Sequence, residues 1–255
     1  MGKSIGDYGS AATRDFASDA DAAVDWLAHR RDIDHAHIGV MGHSEGGVIA
    51  PMVAASDKRV AFVVMLAGPG VRGDRLFVEQ ARGVALASGA PTAYVERRKQ
   101  FDEKLYGAVV EAGTQAQVDA RVQAIVKQGL ADKVIEPNEA ESLPGTVTSA
   151  WMEQFLRLDP AIALKKVTVP VLVVNGSLDL AVPPTLNLPA IRAALKGNHD
   201  ATVMELPGLN HLFQTAQTGA PGEFAHIEET FSPAALKTIT QWVVRHACGR
   251  CTPEP

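Results

Sequence analysis

Cysteine is almost missing from this chain: 255 residues carry two, Cys248 and Cys251, both near the end. That count excludes a disulfide-stapled scaffold and makes a reducing, cytoplasmic setting the expected one. An excess of positive charge is missing too. Lys and Arg total 24 against 29 Asp and Glu, a formal net charge of −5, which argues against a protein built to neutralise nucleic-acid phosphates or an anionic membrane. No apolar run approaches the roughly 20 residues that span a bilayer, and the opening Met1-Gly-Lys-Ser-Ile-Gly-Asp-Tyr-Gly-Ser lacks the apolar centre of a secretory signal. The expectation is an unexported soluble protein with no nucleic-acid or membrane partner. With 46% hydrophobic and 21% charged residues, the chain has the material for a sizeable globular core.

Residues 11–30 place Phe16, Ala20, Ala23, Trp26 and Leu27 at helical spacing, with acidic residues early and His29, Arg30 and Arg31 late. The short apolar run 37–42 reads as a strand buried in a parallel sheet. Ser44-Glu-Gly-Gly then opens an apolar helix through Val48, Ile49, Met52 and Val53, and Val60-Ala-Phe-Val-Val-Met-Leu-Ala is a second buried strand. Strand, helix, strand over this distance is a parallel crossover unit. From Arg72 the character turns helical, with stretches at 73–87, 91–112, 115–129 and 147–157 broken near Gly89-Ala-Pro and Leu143-Pro-Gly. The strand pattern returns at 169–175, followed by a helix at 187–196, a strand at 201–206 and a helix at 232–247 opened by Ser232-Pro. The fold class is therefore α/β: a core from 1–71 and 159–255, with 72–158 inserted as a helical cap. No internal repeat is present.

Gly42-His43-Ser44-Glu45-Gly46-Gly47 fits G-x-S-x-G and falls between a strand and a helix, the context that motif needs. Small residues two before and two after the serine let the chain turn sharply and lift the Ser44 hydroxyl at the strand's carboxyl end, where a helix N-terminus points its amides. A serine hydroxyl is a weak nucleophile at neutral pH, so it needs a base, and the base needs a third group to fix its tautomer. Asp179 follows the strand 169–175 and His211 follows the strand 201–206, so both emerge on the rim that carries Ser44. Asp159 and Asp200 are less well placed rivals for the acid. His43 and Glu45 flank the serine, point elsewhere, and read as wall residues.

The run DFASDADAAVDWLAHRRDIDHAHIGVMGHSEGGVIAPMVAA, the segment VPVLVVNGSLDLAVPP and LPGLNHLFQTA resemble bacterial serine hydrolases of the α/β-hydrolase superfamily, near its esterase, acyl-thioesterase and serine-peptidase branches. The resemblance covers nearly the whole chain. It implies Ser44 as nucleophile, Asp179 as acid and His211 as base, a helical cap over the site, and the backbone N–H of Glu45 as one oxyanion donor. It departs from the family at the front, where Met1-Gly-Lys-Ser-Ile-Gly starts inside a loop that family members reach after several further strands. The loop that supplies the second oxyanion donor in the family has no counterpart here, and losing one such donor typically costs about 2.7–4 kcal/mol of transition-state stabilisation. The same shortening leaves 37–42 as an uncovered sheet edge with no Lys or Pro to protect it. Two outcomes follow from such an edge: a homodimer formed by antiparallel pairing of two 37–42 strands about a two-fold axis, or a shortened product that folds poorly.

Leu76, Phe77, Trp151 and Phe155 are the candidate lining of an acyl pocket, although large apolar residues at helical spacing also serve as packing. Cys248-Gly-Arg-Cys251 has redox or zinc spacing but no second cysteine pair, and His35-Ala-His37, on an extended segment, has no carboxylate set beside it, so no metal site is expected. No organic cofactor is needed. The function expected is hydrolysis of a small-molecule carboxylic ester; thioester and peptide hydrolysis use the same residues, and a non-catalytic binding or assembly protein that keeps them as relics is the rival of another class.

Overall fold

The structure is a computed structural model that describes Gly6 and residues 9–247. Cys248 and Cys251 lie outside the described residues. In chain order the elements are α1 (Thr13–Ala28), β1 (Gly39–His43), α2 (Gly46–Ser56), β2 (Phe62–Leu66), α3 (Gly73–Ala87), α4 (Thr92–Val110), α5 (Gln115–Ala131), α6 (Pro137–Val147), α7 (Ala150–Arg157), α8 (Ala161–Leu164), β3 (Val171–Gly176), α9 (Pro184–Ala194), β4 (Ala201–Leu206) and α10 (Pro233–Ala247). The four strands form one parallel sheet in the order β1-β2-β3-β4.

Alternation along the strands divides the core into two faces. Val63 and Met65 of β2 with Val171 and Val173 of β3 pack against α1, α2 and α9 through Val24, Ala50, Val53, Leu188 and Ile191. Val64, Leu66, Leu172 and Val174 face the other way, onto Ala235, Ile239 and Trp242 of α10 and onto Leu209 and Phe213. Every residue of β2 and β3 is buried, as expected of inner strands covered on both sides. Strand β1 is the edge and, among the described residues, pairs only with β2. Its Met41 is in register with Val64, so it shares that face, yet it is 52% exposed.

Helices α3 to α7 surround a cluster of their own, which includes Phe101, Leu105, Val109, Val122 and Leu156. Each such side chain contributes about 1.5–3 kcal/mol by leaving water. Inside this layer Arg98 donates to Asp102 at 2.9 Å and pairs with Glu139 at 2.5 Å. Burial pushes the Asp102 carboxyl pKa up against the opposing pull of Arg98. Burial likewise pushes the Tyr106 phenol up to about 12. The two ends of the layer meet: the Gly73 N–H donates to the Leu158 carbonyl at 3.2 Å. A Cβ on Gly73 would fall 2.1 Å from the Phe155 carbonyl oxygen.

Several boundaries differ from those the sequence implies. The first strand starts at Gly39 rather than 37, because the Asp34 carboxylate accepts the Ala36 N–H and closes a short 3-10 turn over His35–His37. The two histidines therefore sit on a turn and not on an extended segment, and His37 Nδ1 is 2.8 Å from Asp34 Oδ2. The stretch 147–157 is two helices: Ser149 accepts the Met152 N–H and starts α7 afresh, while Leu143-Pro-Gly lies inside α6. Helix α9 begins at Pro184, not 187, since a proline in the first turn costs no hydrogen bond. On α1, Ala20 and Leu27 pack against the core beside buried Val24, whereas Trp26 is 59% exposed, lying beneath the Arg30 guanidinium at 4.6 Å.

Candidate active site

Three strand ends bring the site together. Strand β1 runs into Ser44, which adopts a left-handed backbone with φ of 57°, a conformation that costs a residue with a Cβ about 1–3 kcal/mol. Its N–H donates to the Leu66 carbonyl of β2 at 2.9 Å, so the turn is tied to the neighbouring strand. A Cβ on Gly42 would lie 1.9 Å from the Gly46 carbonyl oxygen, and one on Gly47 would lie 2.6 Å from Gly68 Cα. A Cβ on Gly46 would meet nothing within 4 Å. The second glycine of G-x-S-x-G is thus not the one that sterics demand; Gly42 and Gly47 are.

Asp179 follows β3 on a turn that buries it to 1% exposure. Its Oδ1 accepts the N–H groups of Ala181 and Val182 at 2.9 and 2.8 Å, leaving Oδ2 for His211. The loop after β4 carries His211 between two fixed points. Buried Asn210 accepts the N–H groups of Leu212 and Gln214, both at 3.0 Å. Phe213 is fully buried, holds a φ of 59°, and stacks on Phe231 at 5.1 Å.

His211 Nδ1 is 2.9 Å from Asp179 Oδ2 and His211 Nε2 is 3.1 Å from Ser44 Oγ. A carboxylate only accepts, so Nδ1 carries the proton and donates it to Asp179, which leaves Nε2 to accept from the Ser44 hydroxyl. The arrangement can draw the proton from Ser44 as its oxygen attacks an electrophile and can stabilise the imidazolium that results. The backbone N–H of Glu45, the residue after the serine, donates to no described residue, while the Gly47 and Val48 N–H groups already donate to the Ser44 and Glu45 carbonyls.

The flanking residues, read from sequence as walls, are both engaged. His43 Nε2 lies 2.8 Å from the His211 carbonyl; a carbonyl only accepts, so Nε2 donates and His43 holds the His211 loop onto the end of β1. Burial holds the His43 pKa below the usual imidazole range, reinforced by the nearby His211 and partly offset by that hydrogen bond. Oε1 of Glu45 accepts from Thr13 Oγ1 at 2.6 Å and from Trp151 Nε1 at 2.9 Å.

Of the four apolar residues singled out from sequence, Leu76 and Phe155 are 3% and 5% exposed and pack with Val71 and Val182. Phe77 and Trp151 are half-buried. Trp151 stacks on Phe155 at 5.2 Å, and Phe77 meets both rings. Residues 159 and 200, the rival acids, lie elsewhere: Asp159 accepts the Ala161 N–H and Asp200 is 3.6 Å from His246. Asn210 and Phe213 carried no sequence signal beyond an Asn beside a His; Thr13 carried none.

Comparison with known proteins agrees with this architecture. Among solved structures, an esterase of Pyrococcus furiosus is similar at a TM-score of 0.52 and 15% identity, over 96% of this chain and 66% of that one. A hypothetical protein of Pseudomonas aeruginosa is similar at 0.51 and 18% identity, over 96% and 72%. Such likeness speaks to the fold. No curated protein matches the sequence. The model of the alpha/beta hydrolase family matches residues 5–227, and the chain belongs to that family.

Proposed function

We propose that the protein is a serine hydrolase that cleaves carboxylic esters through an acyl-enzyme intermediate, with Ser44, His211 and Asp179 as its catalytic triad. The observation that carries this reading is the unbroken chain of contacts from Ser44 Oγ to His211 Nε2 at 3.1 Å and from His211 Nδ1 to Asp179 Oδ2 at 2.9 Å. In this reading Ser44 Oγ attacks the ester carbonyl while its proton passes to Nε2, and the C–O π electrons move onto the carbonyl oxygen. The Glu45 N–H donates to that oxyanion. Collapse expels the alcohol, which takes the proton back from Nε2. Water then repeats the sequence, with His211 as base, and releases the acid.

Esters are favoured over peptides because an activated acyl bond asks least of a site with one identified oxyanion donor. The left-handed backbone at Ser44 presents the hydroxyl to His211 Nε2 at 3.1 Å, which favours catalysis over a relic. Helices α3 to α7 act as the cap, and Phe77 and Trp151, with Leu76 and Phe155 behind them, form its acyl-facing side. Labelling with a fluorophosphonate, followed by mapping of the adduct, tests the assignment: modification of Ser44 is expected, and modification elsewhere overturns it. A chromogenic short-chain ester turned over equally by wild type and Ser44→Ala removes the enzyme reading.

For assembly, the reading is a homodimer formed by antiparallel pairing of two β1 edges, supported by the outer side of β1, which pairs with no strand among the described residues, and by the exposure of Met41. Light scattering that returns a monomer mass at micromolar concentration overturns it.

A further inference from the structure

A single carboxylate oxygen joins three parts of the molecule that are distant in sequence. Oε1 of Glu45, on the turn after the nucleophile, accepts from Thr13 Oγ1 at the start of α1 and from Trp151 Nε1 at the start of α7. Thr13 is fully buried, so its hydroxyl has no water to fall back on, and a buried hydroxyl left without a partner costs about 1–3 kcal/mol. A second bond runs alongside: the Arg14 N–H donates to Gln154 Oε1 at 2.9 Å. Trp151 is in turn fixed by its stack on Phe155, whose carbonyl lies against Gly73 where the helical layer begins.

The same residue presents the backbone N–H assigned to the oxyanion. That N–H belongs to the peptide unit whose Ser44 carbonyl accepts the Gly47 N–H at 2.9 Å, so the backbone sets its direction. The side chain ties the residue that carries it to α1 and α7.

We propose that Glu45 is a positioning residue: by gripping Thr13 and Trp151 its side chain holds the turn that carries the oxyanion amide in register with the helical layer and seats that layer over Ser44. This rests on the serine-hydrolase reading and extends it to the coupling between cap and nucleophile. A grip of this kind acts on the transition state, because the amide is needed most when charge develops on the substrate oxygen.

The test uses Glu45→Gln, Glu45→Leu, Trp151→Phe and Thr13→Val in the full chain, with wild-type labelling at Ser44 as the reference. Glutamine keeps an oxygen acceptor and is expected to lose several-fold less kcat than leucine. Leucine is expected to lose on the order of ten- to a hundredfold in kcat on a small ester with KM little changed, as a displacement near 1 Å would give. Trp151→Phe, which removes one donor and keeps an aromatic ring, and Thr13→Val, which removes one donor and keeps the shape, are expected to fall between. In the resting protein the Trp151 indole proton should exchange with solvent faster in Glu45→Leu than in wild type or Glu45→Gln. Normal kcat in Glu45→Leu and Trp151→Phe, or equal loss in Glu45→Gln and Glu45→Leu, overturns the positioning role. Wild type that is not labelled at Ser44 overturns the hydrolase reading, and this role with it.

Discussion

The strand-end ridge and the helical layer above it are held together by different means. At the ridge the constraints are in the backbone: a left-handed serine, glycines whose missing Cβ atoms leave room for neighbouring main chain, and an aspartate and an asparagine that anchor their loops through N–H groups. In the layer the constraints are in side chains: the Phe77, Trp151 and Phe155 cluster and the ion pairs around Arg98. Backbone constraints fix atoms to fractions of an ångström, as chemistry requires. Side-chain packing fixes a surface and lets its shape vary, which suits the cap role proposed for the layer.

Six substitutions break or sharpen that contrast. The largest effect is expected for Asp179→Asn, which keeps the Oδ1 acceptor for Ala181 and Val182 but loses the charge that orients His211; kcat on a chromogenic ester should fall about 10⁴-fold with the melting profile preserved. Next is Phe155→Ala, expected to cost about 3–5 kcal/mol by leaving a cavity in the layer, read by urea unfolding and by a change in acyl-length preference. The glycine series follows. Gly42→Ala and Gly47→Ala are expected to destabilise by about 3 kcal/mol, as overpacking against fixed main chain does, while Gly46→Ala should unfold like wild type, since its Cβ would meet nothing. The smallest effect concerns His43. A histidine whose folded pKa is depressed binds its proton better in the unfolded chain, so its contribution to stability is complete above the ordinary value of 6.5 and is lost as pH falls below it. His43→Gln, which retains a donor for the His211 carbonyl, should show a flatter loss of stability between pH 7 and 5; an unchanged slope would show that His43 is not the group responsible.

The ridge was legible in the sequence because its signals are local. A glycine-flanked serine between a strand and a helix, and an Asp and a His each just past an apolar run, announce their positions without knowledge of what packs against them. The parallel sheet was legible for the same reason. What could not be read depends on contacts between distant segments. Nothing near Thr13 or Trp151 signals that both donate to Glu45, and nothing in His43 signals that it would reach a carbonyl on the opposite loop. Periodicity placed Trp26 inward although the Arg30 guanidinium covers it at the surface. Proline read as a break at residue 144, but the helix there continues around it and ends only where Ser149 offers a competing cap.

The meeting of Gly73 with Leu158 gives the helical layer its entrance and its exit at one doorway. Lengthening, shortening or replacing everything between them leaves the span that the main chain must bridge unchanged. On the proposed reading of this layer as a cap, a lineage can exchange its specificity cartridge without reforging the frame that carries Ser44, Asp179 and His211.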